Sequence, residues 1–328
     1  MFTQQNRLFL ALFLTIILIG GFADFARADY PERPITLVVN YSAGGGVDIS
    51  ARAPAKKAEK ILGQPIIVVN KAGAGGTIGT GALAEAKPDG YTIGTLTFGP
   101  LTMAPHMYDL PYNPLKGFDY ILGYSKHIYG PCVRMDSPFK TLKDLVQYAK
   151  ANPGRIKYSC HGLSIPPHFG MVYLAKAEGI KWEPVVYKNT PEVVAACVGG
   201  HVDVVSGNPP DLVPFINAGR LRLLASFSDI RWKWVPDVPT AIELGYNFAL
   251  ESATAFGAPK GVPKPILDKL RDVFKKAIDD PEFLQIMDNI YVNVAYRNHE
   301  EFQKLVELNY KQNEAMILEL GLHKSQKK

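Results

Sequence analysis

From Ile35 onward, short apolar runs alternate with longer stretches in which apolar residues recur every three or four positions. The run "ITLVVN" precedes a helix predicted over about residues 49–62, and "QPIIVVN" precedes a helix through "TIGTGALAEA". A turn at "KPDG" then leads into the strand "YTIGTLTF". Short strands separated by helices of this kind predict βαβ units and a parallel sheet. Pro54 falls about six residues into the first helix, where its missing amide should kink or delay it. Between Pro100 and Pro138 prolines and glycines are frequent, which predicts a long irregular connection.

A second α/β series begins at Thr141, whose spacing to Asp144 is that of a capping box before "LVQYAKA"; Asn152-Pro153-Gly154 should end that helix. There follow "RIKYSC", a helix around "HFGMVYLAKAEG", "EPVVYK", a helix in "TPEVVAACVGG" with Thr190 as cap and Pro191 at its first position, "VDVVSG" and "LRLLASF". Beyond the strand-like "SATAFGAP", two amphipathic segments close the chain. Ile266, Leu267, Leu270, Val273, Phe274 and Ala277 share one face of the first, and Asn298 with Glu301 forms a capping box ahead of the second. A tail of this kind is expected to return to the first domain. The predicted organisation is two lobes, residues 29–128 plus 251–328 and residues 129–250, joined by crossings near Tyr129 and Leu250.

At 328 residues, 47% hydrophobic and 20% charged, the chain is globular and long enough for two domains. The net charge of +5 is spread thinly, with one dense cluster in the terminal "HKSQKK", so no nucleic-acid partner is expected. At the N-terminus, Arg7, the apolar or hydroxyl residues 8–19 and the Ala26-Arg27-Ala28 triplet read as a secretory signal cleaved after Ala28, which implies an exported protein. The run is too short for a membrane span, which needs ~20 residues. Cys132, Cys160 and Cys197 are an odd number for an oxidising compartment, so at least one thiol is unpaired.

The glycine-rich stretches "NYSAGGGVDIS" and "VVNKAGAGGTIGT" each follow a strand and open a helix, a geometry that presents backbone N–H groups to an anion. "AGGGVD" lacks a dinucleotide G-x-G-x-x-G frame, and Asn70-Lys71 stands where a ribose-binding acid would be needed. There is no P-loop and no G-x-S-x-G elbow, the nearest sequence being "GLSIP" at residues 162–166. A carboxylate remains, with Ser42, Ser50 and Thr77 as added donors and Asp48 as the N-cap of its own helix. The alternative is that residues 44–46 and 73–76 serve only turns with positive φ. A third loop, "SCHGLSIPPHFG" at residues 159–170, also joins a strand to a helix. Its Cys160, His161 and His168 match no zinc spacing, so no metal and no cofactor are expected; His161 reads as a polar pocket group and His168 as a helix start. Histidines 106, 127, 201, 299 and 323 read as scattered surface or loop residues.

Collinear blocks over nearly the whole chain, among them "YPERPI", "AGGGVDISAR", "LGQPIIVVNKAGAGGTIGTGALAEAKPDGYT", "LPYNPLKGFDYI", "GGHVDVVSGNPP" and "VPDVPTAIELGY", resemble the periplasmic substrate-binding receptors of tripartite tricarboxylate transporters, the Bug receptor family. The resemblance implies a type II periplasmic-binding-protein fold: two α/β lobes with a hinge of two crossing segments, closing on a carboxylated organic solute for delivery to a membrane permease, with no enzymatic step. It implies that Tyr41, Ser42, Ala43, Gly44, Gly45 and Gly46 grip a carboxylate together with Ser159, Cys160, His161, Gly162 and Ser164, with Gly75 and Gly76 nearby; Asn208 joins this set. The chain is expected to act as a monomer. Departures from the family pattern at Cys160, His161, Ile165, Pro166, Pro167, Gly207 and Tyr41 replace small polar groups with ring and aliphatic surface. They predict an aromatic or otherwise bulky carboxylate. Two other readings are a ligand-sensing partner of a membrane sensor, and a secreted hydrolase using Ser164 or Cys160 with His161 or His168.

Overall fold

Hydrogen bonding sorts the strands into two separate sheets. The computed structural model describes residues 30–326, so the expected signal sequence lies outside the described residues. In chain order the first elements are β1 (Ile35–Val39), α1 (Gly46–Leu62), β2 (Ile66–Asn70), a tight turn at Ala74–Gly76, α2 (Thr77–Ala84), β3 (Thr92–Thr97), α3 (Ala104–Met107) and β4 (Phe118–His127). The chain then crosses into β5 (Gly130–Arg134), α4 (Leu142–Ala151), β6 (Lys157–Cys160), α5 (Pro166–Glu178), β7 (Glu183–Val186), α6 (Thr190–Val198), β8 (Val204–Gly207), α7 (Pro209–Asn217) and β9 (Leu221–Leu223). It returns through β10 (Ser252–Pro259), α8 (Lys264–Ile278), α9 (Pro281–Asn289), β11 (Asn293–Arg297) and α10 (His299–Glu319).

The first sheet runs β11-β4-β10-β3-β1-β2 and the second β7-β6-β8-β5-β9. β1 is parallel to β2 and β3, and β6 is parallel to β7 and β8, so each lobe carries the predicted βαβ units. The returning strand β10 is antiparallel to both β3 and β4. The molecule is thus a two-lobed α/β protein, one sheet to each lobe.

Small residues let the first lobe pack tightly. Ala51, Ala55 and Ala58 of α1 are buried in the same cluster as Leu270, Phe274 and Ala277 of α8. That packing explains one departure from expectation: α1 begins at Gly46 and runs uninterrupted through Pro54 to Leu62, because its buried face holds the helix where a missing amide would otherwise end it. A second departure is the region between Pro100 and Pro138. In place of an irregular connection it contains β4 and β5. β4 is buried everywhere except at Asp119 and Lys126, and a strand covered on both faces shows no polar alternation.

The capping boxes at Thr141/Asp144 and Asn298/Glu301 are both formed. At α6 the cap is Asn189, one residue before the expected Thr190: its extended backbone lets the side chain accept the Glu192 N–H, and Pro191 takes the second helical position. Cys132, Cys160 and Cys197 are free and buried.

Two crossings join the lobes, and Ser228 laces them together. Its Oγ accepts the Tyr129 N–H at 3.2 Å and donates to the Leu250 carbonyl at 2.7 Å. Phe227 sits between the same strands, donating to the Tyr129 carbonyl and accepting from the Leu250 N–H. Beside them, His127 on β4 shares its Nε2 with Ser125 and Thr254 at 3.1 and 2.6 Å. Helix α10 packs Phe302 against Phe98 and Tyr120 at ring separations of 6.1 and 5.2 Å. Its far end also reaches the second lobe, where Met316 and Ile317 share a cluster with Phe169 of α5.

Phe302 is fully buried at this docking surface, so Phe302→Ala should cost roughly 3–5 kcal/mol in chemical denaturation. A second expectation concerns acid. Burial pulls His127 and His168 from 6.5 down to about 4, so both rings fold neutral. The unfolded chain takes up these protons first. The stabilisation is therefore complete above about pH 6.5 and is lost as pH falls toward 4, with a slope of up to about 1.4 kcal/mol per pH unit for each ring. Melting curves across that window should show the loss, and His127→Gln should reduce it by the share of one ring.

Candidate functional site

The loops that leave β1, β6 and β8 at their C-terminal ends converge on one cavity between the lobes, the position where open α/β sheets bind ligands. A buried network fixes the first of them. Asn40, at the end of β1, receives Thr95 Oγ1 on its Oδ1 at 2.8 Å, and its Nδ2 donates to Thr97 and Thr80 at 3.1 and 3.3 Å. Tyr41 follows and donates its hydroxyl to the Gly75 carbonyl at 3.0 Å, tying the first glycine-rich loop to the second.

The glycines bring the lobes into main-chain contact. A β-carbon on Gly162, in the second lobe, would lie 3.1 Å from Gly75 Cα and 3.3 Å from Gly75 N in the first. One on Gly75 would meet Ile165 Cγ2 at 3.1 Å and Ser164 Oγ at 3.2 Å, and one on Gly46 would meet Pro210 Cβ at 3.0 Å. Gly75 also has φ 66°, a left-handed conformation that side chains disfavour. In the described conformation the lobes are closed on each other, and the space left between them offers ≈ 60 Å³ to the centres of water-sized groups. One water needs roughly 10–15 Å³ on this measure, so about five such groups fit.

The walls are mostly apolar. Val47 and Gly99 come from the first lobe, and Ile165, Pro166, Pro167, Val193, Val194 and Val205 from the second. His127, Tyr129 and Ser252 contribute from the crossings, and Thr97, Thr190 and Ser206 add hydroxyls. Burial holds His161 neutral with a pKa near 4 and raises Tyr41 to about 12. Asp211 is the one acidic residue in the wall, and neither lysine nor arginine joins it. Its carboxyl is pushed up to about 7 by burial, against a backbone N–H bond from Gly46.

Of the residues singled out in the sequence, Tyr41, Gly45, Gly46, His161 and Asn208 line this cavity. Ser42, Gly75 and Gly76 line a smaller adjoining pocket, which Tyr41 and His161 also wall. Gly162 and Ser164 lie at the contact between lobes, and Ala43 and Gly44 are exposed beyond it. Ser159 and Cys160 are buried in β6, where Ser159 Oγ donates to the Val193 carbonyl at 2.9 Å. Ser50 is turned inward to the Val47 carbonyl, and Thr77 donates to the Ala74 carbonyl. Asp48 is not the N-cap. Because α1 starts at Gly46, Asp48 is its third residue, and its carboxylate reaches back to the Gly44 N–H at 3.0 Å while accepting from Arg52 and Asn70. Burial would raise its pKa, but the bonds from Arg52, Asn70 and Gly44 hold it below the usual carboxylate value.

No hydrogen bond joins Ser164 or Cys160 to His161 or His168 among the described residues. His168 Nδ1 pairs with the Tyr158 hydroxyl at 2.9 Å, and burial pushes the Cys160 thiol up to about 11, away from a nucleophilic thiolate. Metal-ligating side chains converge elsewhere: His106, Glu314 and His323, which look scattered in the sequence, bring their donor atoms within 4.8 Å of one another. The His106 Nε2 there bonds the Tyr310 carbonyl at 3.0 Å.

Residues 50–322 match the family described as "Tripartite tricarboxylate transporter family receptor". Among individual proteins, the chain is 37% identical over 302 residues to the UPF0065 protein in the gbd 5′ region of Cupriavidus necator, covering 92% of each. It superposes on the periplasmic binding protein BugD with a TM-score of 0.85 at 32% identity, covering 90% of this chain and 99% of that one. R. palustris Rpa4515, solved with adipate, gives a TM-score of 0.85 at 25% identity, covering 89% and 99%. The family match over residues 50–322, with a relative 37% identical over 92% of the chain and a fold shared over 90% of it, shows that the protein belongs to the receptor family of tripartite tricarboxylate transporters, a family of periplasmic solute-binding proteins.

Proposed function

We propose that this receptor captures a carboxylated organic solute with an apolar body in the interlobe cavity and hands it, as a monomer, to the permease of its transporter, after removal of a signal sequence behind Ala28. The observation that carries the reading is the main-chain contact of Gly75 with Gly162 beside the cavity. A relative solved with adipate supports a carboxylate as the solute. No chemistry is performed on it. Closure follows because a solute touching both lobes binds the closed form better, and only such differential affinity shifts the population. Binding near 1 μM needs ~8 kcal/mol, and charge-assisted bonds at ~1.5–3 kcal/mol each supply much of that before ordering costs. The apolar wall supplies more through contact with the solute's body.

A thermal-shift screen should find a carboxylate that raises the melting temperature, with ~2.7 kcal/mol added at about 100 times the dissociation constant. Benzoate-type acids are expected to outrank C4 to C6 dicarboxylates, and failure of every carboxylate would reject the reading. A second prediction isolates closure. Gly162→Ala adds a methyl that must push Gly75 away, so ligand affinity should fall by about tenfold, ~1.4 kcal/mol, while the ligand-free melting temperature changes little. Titration calorimetry on the variant checks it; unchanged affinity would mean that the close approach is not needed for binding.

A further inference from the structure

The turn from β8 into α7 carries three polar side chains whose demands the protein does not meet. Ser206 Oγ is buried and has no hydrogen-bond partner. Asn208 is 8% exposed, and its side chain makes no capping bond. Asp211 receives one backbone N–H, from Gly46 across the cleft, and no cation. All three face the same cavity.

Helix capping does not account for Asp211. It is the third residue of α7, where a carboxylate commonly folds back onto the N-cap amide, but no such bond is formed. The first two positions are Pro209 and Pro210, which have no amide to satisfy. Lys188 lines the smaller adjoining pocket, and no ion pair joins it to Asp211 among the described residues. The other titratable groups in the cavity wall are Tyr41, His127, Tyr129 and His161, and burial keeps all four uncharged near neutral pH. An anion receptor thus holds a partly buried acid in its cavity wall, with no lysine or arginine lining the cavity beside it.

We propose that Asp211, with Ser206 and Asn208, forms a subsite for a cationic nitrogen on the solute, so that the receptor selects an amino-carboxylate over a plain carboxylate. The inference rests on the carboxylate-capture reading and sharpens it. An ammonium offers three donors and one positive charge, which matches a carboxylate, a hydroxyl oxygen and an amide oxygen, whereas a neutral hydroxyl on the solute leaves the charge unanswered. Gly46 belongs to the loop expected to hold the carboxylate and its backbone lies near Asp211, so a solute with its nitrogen on the same carbon as the carboxylate, or the next, would span the two. The small cavity agrees with such a compact head group.

Calorimetry with matched pairs tests this: alanine against propionate, valine against 3-methylbutanoate, and phenylglycine against phenylacetate. The amino member of at least one pair should bind roughly tenfold tighter or better, in line with a charge-assisted bond in a dry site. In Asp211→Asn that preference should fall to near parity, and the plain carboxylate should bind more tightly than in the parent, because a buried like charge has gone. The same variant should melt no lower than the parent at pH 8, since a partly buried carboxylate without a cationic partner is removed; Asp211→Ser serves if the asparagine form fails to fold. Equal or weaker binding of every amino member, with plain carboxylates still bound, overturns the inference and leaves carboxylate capture standing. If no acid of either kind binds, carboxylate capture falls, and this inference falls with it.

Discussion

Two peptide backbones touching across the cleft set the terms for the rest of the molecule. Gly75 and Gly162 approach so closely that a single methyl group would separate them. That proximity requires the end of β1 to be held rigidly, which the Asn40 network does, and the loop after β6 to emerge opposite it. Tyr41 then bridges the two first-lobe loops through Gly75. The glycine-rich turns are therefore contact surfaces first, and their φ values are only part of the reason for glycine.

Ion pairs contribute little to holding the lobes shut. Lys176 with Glu319 and Lys126 with Asp229 link the lobes at the surface, each with at least one largely exposed partner. Such pairs are worth about 0–1 kcal/mol and weaken with salt. Apolar contact and main-chain geometry dominate instead, so closure should be nearly independent of ionic strength. The cavity follows the same economy of charge: its imidazoles are neutral, and no lysine or arginine lines it among the described residues.

The βαβ alternation, both capping boxes and the glycine turns were legible because each is a local signal of spacing or composition. β4 was not, since it is covered on both faces and bracketed by prolines, which hides its period. Asp48 was misplaced by a helix start three residues too late; Gly46 can begin a helix without any side chain to announce it. Five of the fourteen candidate residues line the cavity and three more line the adjoining pocket. The others, such as Ser159, spend their side chains inside their own lobe. Most of the wall was invisible: Val193 and Val194 read as ordinary core of a helix, and their exposure to a cleft is decided by how the second lobe faces the first. The grouping of His106, Glu314 and His323 was equally hidden, because only tertiary folding brings residues some two hundred positions apart together.

The last helix bears on how the cleft can open. Because α10 is anchored on the first sheet by Phe302 while Met316 and Ile317 rest against Phe169 of the second lobe, pulling the lobes straight apart would strip that apolar seam. A twist that pivots near the seam keeps it covered, and methionine's flexible thioether tolerates the sliding this entails. Helix α10 thus ties the two lobes through an apolar seam that lies outside the cavity wall.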